Sequence, residues 1–123
     1  ILILASLLEE EGKTLEDKRK IAGVLLRRTR VGMPLQVDAP FFYLFGKTSA
    51  QITVRDLATT SPYNLYKNKG LPPTPIDNPS LDSIKAAVTP TNTKYWFFLS
   101  GSDGRVHYAE TLEGHIANKK YLR

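Results

Sequence analysis

Eight nearly continuous apolar positions, Ile1 to Leu8, run directly into Glu9, Glu10, Glu11 and Gly12. At 3.6 residues per turn these side chains cover almost the whole circumference, with Ser6 the one polar position, which predicts a buried helix and not an amphipathic one. Thr14 to Val31 predicts a second helix, with Thr14 as cap and Asp17 three residues on as a capping-box variant. Its core stripe is Leu15, Ile21, Ala22, Leu25 and Leu26, and Gly32 and Pro34 end it. The tight Gly12-Lys13 turn packs the two helices against each other. Leu35 and Val37 alternate with Gln36 and Asp38, the pattern of a short extended segment with its polar pair on one side. The aromatic run Phe41 to Phe45 is expected to be mostly core, with one or two rings free to line a groove. Thr53 caps a short helix over Val54 to Ala58.

Ser61 to Pro79 carries five prolines, which forbid a helix interior or a central strand. Tyr63, Leu65, Tyr66, Leu71 and Ile76 within it supply enough apolar surface for an ordered loop. A helix follows, with Pro79 at its first position and Leu81, Ile84, Ala87 and Val88 as its stripe. Tyr95–Ser100 and Arg105–Ala109 flank Gly-Ser-Asp-Gly, a hairpin signal, and the first strand is expected to be covered on both faces. Thr111 caps a last helix to Leu122. The predicted class is α+β: helices packed around a small, mainly antiparallel sheet with a C-terminal β-hairpin.

At 123 residues, 41% hydrophobic and 24% charged, the chain reads as one globular domain, 1–123. Its first residue already lies within an apolar helix, so it reads as a piece of a longer protein. Ile1 to Leu8 is too short to span a membrane and lacks a basic leader. The absence of cysteine excludes disulfides, thiolate metal sites and a cysteine nucleophile. The net charge of +5 suits an anionic partner. The basic residues are scattered and form no nucleic-acid motif. His107 and His115 stand alone, without HExxH spacing, so no metal or cofactor is expected.

The chemistry left to consider is carboxylate chemistry. A carboxyl at the end of a buried helix is pushed towards its protonated form, as a general acid requires. At about 100° per residue, Glu9 falls on the side of Leu2, Ala5 and Gly12, where small residues leave room. Glu9 and Glu11 lie roughly 160° apart, so they do not form the facing pair most glycosidases use. The polar Gln36/Asp38 edge and the aromatic-amide loop with Ser61, Tyr63, Asn64 and Tyr66 complete a set suited to carbohydrate.

Several segments then carry a resemblance across the whole chain: ILASLLEEEGKT, IAGVLLRRTRVGMPLQVDAPFFY, SPYNLYKNKGLPPTPIDNPSLDSIKAAVTP, the YWFFLS strand and TLEGH. Together they resemble the catalytic domain of the YceG-like family of endolytic murein transglycosylases. The family's A-S-x-x-E-x-E pattern falls on Ala5, Ser6, Glu9 and Glu11, and the resemblance assigns the catalytic role to Glu9. It implies endolytic cleavage of peptidoglycan between N-acetylmuramic acid and N-acetylglucosamine. Glu9 would protonate the glycosidic oxygen, then accept the proton of the sugar's C6 hydroxyl as a 1,6-anhydro ring closes. Glu11, Gln36, Asp38, Ser61, Tyr63, Asn64 and Tyr66 are assigned to substrate binding or support.

The resemblance also implies a parent protein anchored in the bacterial cytoplasmic membrane, its catalytic domain facing the wall. Its substrate would be peptidoglycan glycan strands, its companions cell-wall synthases, and its task ending or sizing new strands. The chain departs from the family pattern at Thr74, Arg27, His107–Ala109 and Ile116. A muramidase-type hydrolase with Asp38 as second acid, and a non-catalytic peptidoglycan-binding module, are the alternatives.

Overall fold

A computed structural model describes residues 1–122. α1 (Leu2–Glu11) buries Leu4, Ala5, Ser6, Leu7 and Leu8, as a segment apolar all round must. α2 (Leu15–Val31) starts at Thr14, whose side-chain oxygen accepts from the Asp17 N–H at 3.0 Å. It ends at Gly32, where φ is 74°. That left-handed turn, which a Cβ would disfavour, lets the Met33 N–H reach back to the Arg28 carbonyl at 2.9 Å.

α3 (Ala39–Phe45), a 3₁₀ turn (Ser49–Gln51) and α4 (Val54–Leu57) lead into the proline-rich loop. After it come α5 (Leu81–Val88), β1 (Phe97–Ser100), β2 (Val106–Ala109), α6 (Leu112–Asn118) and a last 3₁₀ turn (Lys119–Leu122). The class is α+β, as expected. α1, α2 and α5 enclose a core of Leu4, Leu7, Leu8, Ile21 and Leu25, completed by Leu35, Val37 and Leu65. Cutting one of these leucines to alanine would cost about 2–5 kcal/mol.

The strands pair antiparallel in the register Phe97↔Ala109 to Ser100↔Val106. Tyr108 ties the hairpin to the start of α2 through a 2.8 Å bond from its hydroxyl to Asp17. The proline-rich loop is ordered by its own side chains. Asn64 is fully buried and donates to the carbonyls of Leu57 and Thr59, both at 2.9 Å. Farther on, the Ile76 N–H donates to the Ser6 hydroxyl at 3.1 Å, which explains the single polar residue in the run Ile1 to Leu8.

Three expectations need correction. The aromatic run is not mostly core: only Phe41 is buried, while Phe42, Tyr43 and Phe45 are 56%, 49% and 44% exposed. Those residues form the seven-residue α3, and so short a helix offers the core a single face. α5 begins after the cap Ser80, not at Pro79, and buries Ser83, Ala86 and Ala87 while Leu81 and Val88 face solvent. Small side chains serve there because α5 packs against both α1 and α2. β1 is half-buried and not covered on both faces, because the hairpin forms one wall of a groove.

Candidate active site

The groove, about 610 Å³, opens between the end of α1, the segment 35–38, the loop tyrosine Tyr66, β1 and α6. Its polar wall is Glu11, Gln36, Asp38 and Tyr66 with Arg28; its apolar wall is Phe97, Phe98 and Leu99. Four of the residues expected from the sequence therefore meet: Glu11 in the last turn of α1, Gln36 and Asp38 before α3, and Tyr66.

Each is held by local structure. Leu35 and Val37 are buried, so the alternation turns Gln36 and Asp38 outward. Gln36 has φ 55°, a left-handed conformation that a non-glycine residue adopts only when its surroundings enforce it. The enforcing bond runs from the Gln36 N–H to the Leu65 carbonyl at 3.1 Å. Tyr66 donates its hydroxyl to Asp38 in a short hydrogen bond. Burial and the adjacent Asp38 push the Tyr66 pKa up, so the phenol keeps the proton it donates.

Glu11 shares the groove with Asp38. Burial, then the negative charge of Asp38, pushes its carboxyl up to about 7 from an ordinary 4.5, with the Ala39 N–H pulling the other way. A carboxyl with that pKa divides its time between acid and base near neutral pH.

Glu9 is not part of the groove wall. It accepts from the Ser80 N–H at 2.8 Å and the Ser83 hydroxyl at 2.7 Å, with the Lys18 ammonium 3.7 Å away. Those bonds, first the Ser80 N–H, pull its carboxyl down to about 2. A carboxylate so held has no proton to give at neutral pH, so this geometry does not support the acid role expected for Glu9. Its chemistry is that of a cap, at the start of α5.

Ser61, Tyr63 and Asn64 also lie outside the groove wall. The Ser61 hydroxyl accepts from the Tyr63 N–H at 3.2 Å. Tyr63 shares a 2.8 Å hydrogen bond with Thr74 and packs on Tyr43, ring centroids 5.2 Å apart. Asn64 Oδ1 accepts from the Tyr66 N–H at 3.1 Å. These three shape the loop that presents Tyr66.

Sequence reasoning missed Arg28 and His115. Arg28 is 5% exposed and donates to the carbonyls of Trp96 and Pro34, both at 2.8 Å. It binds α2 to both sides of the groove. The available signal was its place in the Ile21, Leu25, Arg28 stripe, since a cation on a core face must find acceptors. His115 lines the groove and stacks on Phe97 at 5.0 Å. Its Nδ1 is buried with no hydrogen-bond partner among the described residues, and burial followed by the charges of Lys119 and Arg28 pulls its pKa down. It is a neutral imidazole at pH 7. His107 instead stacks on Tyr121 at 3.7 Å and contacts Asp103 at 3.0 Å, so it belongs to the hairpin. Among the described residues no three His, Asp or Glu side chains are grouped to hold a metal ion.

A model of the YceG-like family matches residues 1–121. The chain is 43% identical to an endolytic murein transglycosylase of Bacillus subtilis, over 99% of this chain and 34% of that protein. A Streptococcus pneumoniae protein of the same name is 40% identical, over 96% of this chain and 22% of its own length. A crystal structure of a yceG-like protein from Listeria monocytogenes superposes with a TM-score of 0.86 at 38% identity. It covers 94% of this chain and 38% of that one. The chain thus spans about a third or less of the curated relatives it matches.

Proposed function

The chain belongs to the YceG-like family, and on that footing we propose that it carries the catalytic centre of an endolytic peptidoglycan lytic transglycosylase, with Glu11 and not Glu9 as its acid and base. The observation that carries the reading is the Glu11 carboxyl in the groove, pushed up to about 7.

A glycan strand lying in the groove presents its MurNAc–GlcNAc glycosidic oxygen to the protonated Glu11. Transfer of that proton breaks the bond from C1 and releases the GlcNAc hydroxyl, while positive charge builds on the muramoyl ring. The Glu11 carboxylate left behind sits beside that charge. It then takes the proton of the C6 hydroxyl as that oxygen bonds to C1, which closes the 1,6-anhydro ring and restores the acid. One group with a pKa near the working pH serves both steps. Gln36 offers an amide to the sugar. Asp38, already accepting from Tyr66, tunes Glu11 through its charge. The apolar wall of Phe97 and Phe98 suits the face of a sugar ring.

The wider reading rests on the relatives. Their name, endolytic murein transglycosylase, supports peptidoglycan as substrate. Membrane anchoring of the parent, an extracytoplasmic site of action, synthase partners and a part in ending nascent strands are proposed with it.

The test is mass spectrometry of purified glycan strands digested by the protein and by Glu11→Gln and Glu9→Gln. Anhydro-ended internal fragments from wild type and Glu9→Gln, but not from Glu11→Gln, are expected. Reducing ends would indicate hydrolysis with Asp38 as second acid. Loss of cleavage only in Glu9→Gln would return the role to Glu9.

A further inference from the structure

A second depression, of about 490 Å³, lies on another side of α2. Gly23, Arg27 and Arg30 of α2 form one side, and the loop Pro90–Thr93 forms the other. Its floor is built to close tolerance: a Cβ on Gly23 would come within 2.0 Å of the Thr91 carbonyl oxygen. The loop is seated there by the Thr91 N–H, which donates to the Arg19 carbonyl at 3.0 Å.

Arg27 is fixed in place. It donates to the Thr93 carbonyl at 2.7 Å, and its guanidinium lies 4.0 Å from the centre of the Trp96 ring. Arg30, one turn on, is exposed. Among the described residues no acidic side chain lines the depression. Neither arginine has an acidic partner among the described residues. A cation held by stacking and one carbonyl keeps its other N–H groups free and aimed, the arrangement that recognises a carboxylate or phosphate.

The depression adjoins the groove. The Trp96 ring carries Arg27, while the Trp96 carbonyl accepts from Arg28 of the groove wall at 2.8 Å. The next residue, Phe97, is itself groove wall. Trp96 and Phe97, neighbours in the chain, thus link the two sites. A murein strand carries its negative charge on peptide branches that leave the muramoyl sugars sideways.

We infer that the Arg27–Arg30 depression is an anion subsite for the free carboxylates of a peptide branch on the glycan strand held in the groove. This rests on the proposed substrate but not on the assignment of Glu11. It makes Arg27 a determinant of which strands are preferred.

Trp96 is the only tryptophan in the chain and reports the subsite directly. Its fluorescence is followed while a soluble muramoyl peptide, the same sugar without peptide, or inorganic phosphate is titrated in. Expected is a saturable change with the muramoyl peptide, weakened about fivefold or more by Arg27→Asn and by Arg30→Ser, and little change with the bare sugar. Saturation by phosphate at equal strength would instead assign a phosphate-bearing ligand and overturn the peptide reading. So would an unchanged response in the two variants.

Cleavage separates this from the proposed function. The variants should raise KM on peptide-bearing strands and leave kcat on peptide-stripped strands unchanged. Peptide binding without any cleavage by the wild type would sink the proposed activity and leave the subsite standing.

Discussion

Two carboxylates two residues apart on one helix meet opposite environments. Glu9 faces α5 and finds donors: an N–H, a hydroxyl and a lysine. Glu11 faces the groove and finds burial and a second negative charge. The first is pulled down to about 2 and the second pushed up to about 7, although both belong to the same Glu-Glu-Glu run. Their chemistry is decided by what covers them and not by their own type. Donors make Glu9 a permanent anion that stabilises the fold, and their scarcity makes Glu11 an acid whose presence costs stability.

The largest effect that can break this comparison is on turnover. Glu11→Gln should lower glycan cleavage by about 10²–10⁴-fold, the usual range for losing a general acid. Glu9→Gln should keep activity within about fivefold when measured well below its melting temperature. Release of anhydro-ended fragments per unit time checks both. Equal losses in two folded variants would mean that the two sites are not separate.

Stability should move the other way, in different pH windows. Glu9 is more acidic folded than its ordinary 4.5. Its stabilising contribution is therefore present above pH 4.5 and lost as pH falls towards 2. Removing its charge-assisted hydrogen bonds should cost about 1–2 kcal/mol at pH 7. Glu11 holds its proton more tightly folded than unfolded. Its penalty is absent below pH 4.5, grows as pH rises to about 7, and is complete above that. Glu11→Gln should therefore melt higher than wild type at pH 8, by several degrees for a gain on the order of 1 kcal/mol. The gain should vanish below pH 4.5. Thermal unfolding across pH 3–8 reads both, and a Glu11→Gln variant less stable at pH 8 would contradict the burial of Glu11 as the source of its shift.

A smaller shift tests the cause of the raised pKa. Asp38→Asn removes the nearby charge but leaves Tyr66 an acceptor. Glu11 should then fall towards the ordinary carboxylate range, and the alkaline limb of kcat/KM should move to lower pH. An unmoved limb would mean that burial alone sets Glu11. Complete loss of cleavage in a folded variant would make Asp38 a second catalytic group.

The helical wheel separates Glu9 from Glu11 by angle and points to the Glu9 side as the open one, whereas in the structure α5 covers Glu9 and the groove opens at Glu11. That depends on Ser80 and Ser83, more than seventy positions away along the chain, which no local pattern places over Glu9. Where local pattern suffices, the reading held: Thr14 caps α2, the hairpin turns at Gly101–Gly104, and the alternation at 35–38 points Gln36 and Asp38 outward. Ser61 to Pro79 reads as one ordered loop carrying Ser61, Tyr63, Asn64 and Tyr66, yet of these four only Tyr66 lines the groove. Ser61 and Asn64 look like binding residues in sequence because side chains that tie a turn and side chains that grip a sugar are the same kind. Arg28 is one of three arginines in Arg-Arg-Thr-Arg and His115 is an isolated histidine, so neither stands out in sequence, and only packing brings them to the groove.

The smallest expected effect concerns the backbone under Gln36. Its φ of 55° is held against preference by the bond to the Leu65 carbonyl, so strain and function sit in one residue. Gln36→Ala removes the amide and keeps the strained conformation, while Gln36→Gly removes the amide and relieves it. Both variants should lose activity to a similar degree, since neither offers a hydrogen bond to the sugar. Gln36→Gly should nevertheless melt higher than Gln36→Ala, by the equivalent of about 1 kcal/mol. Paired melting curves and rates separate the two contributions. If the glycine variant melts no higher, the left-handed turn is cheap here, and the residue would be held for its side chain alone. If both variants keep wild-type turnover, the groove needs the turn and not the amide.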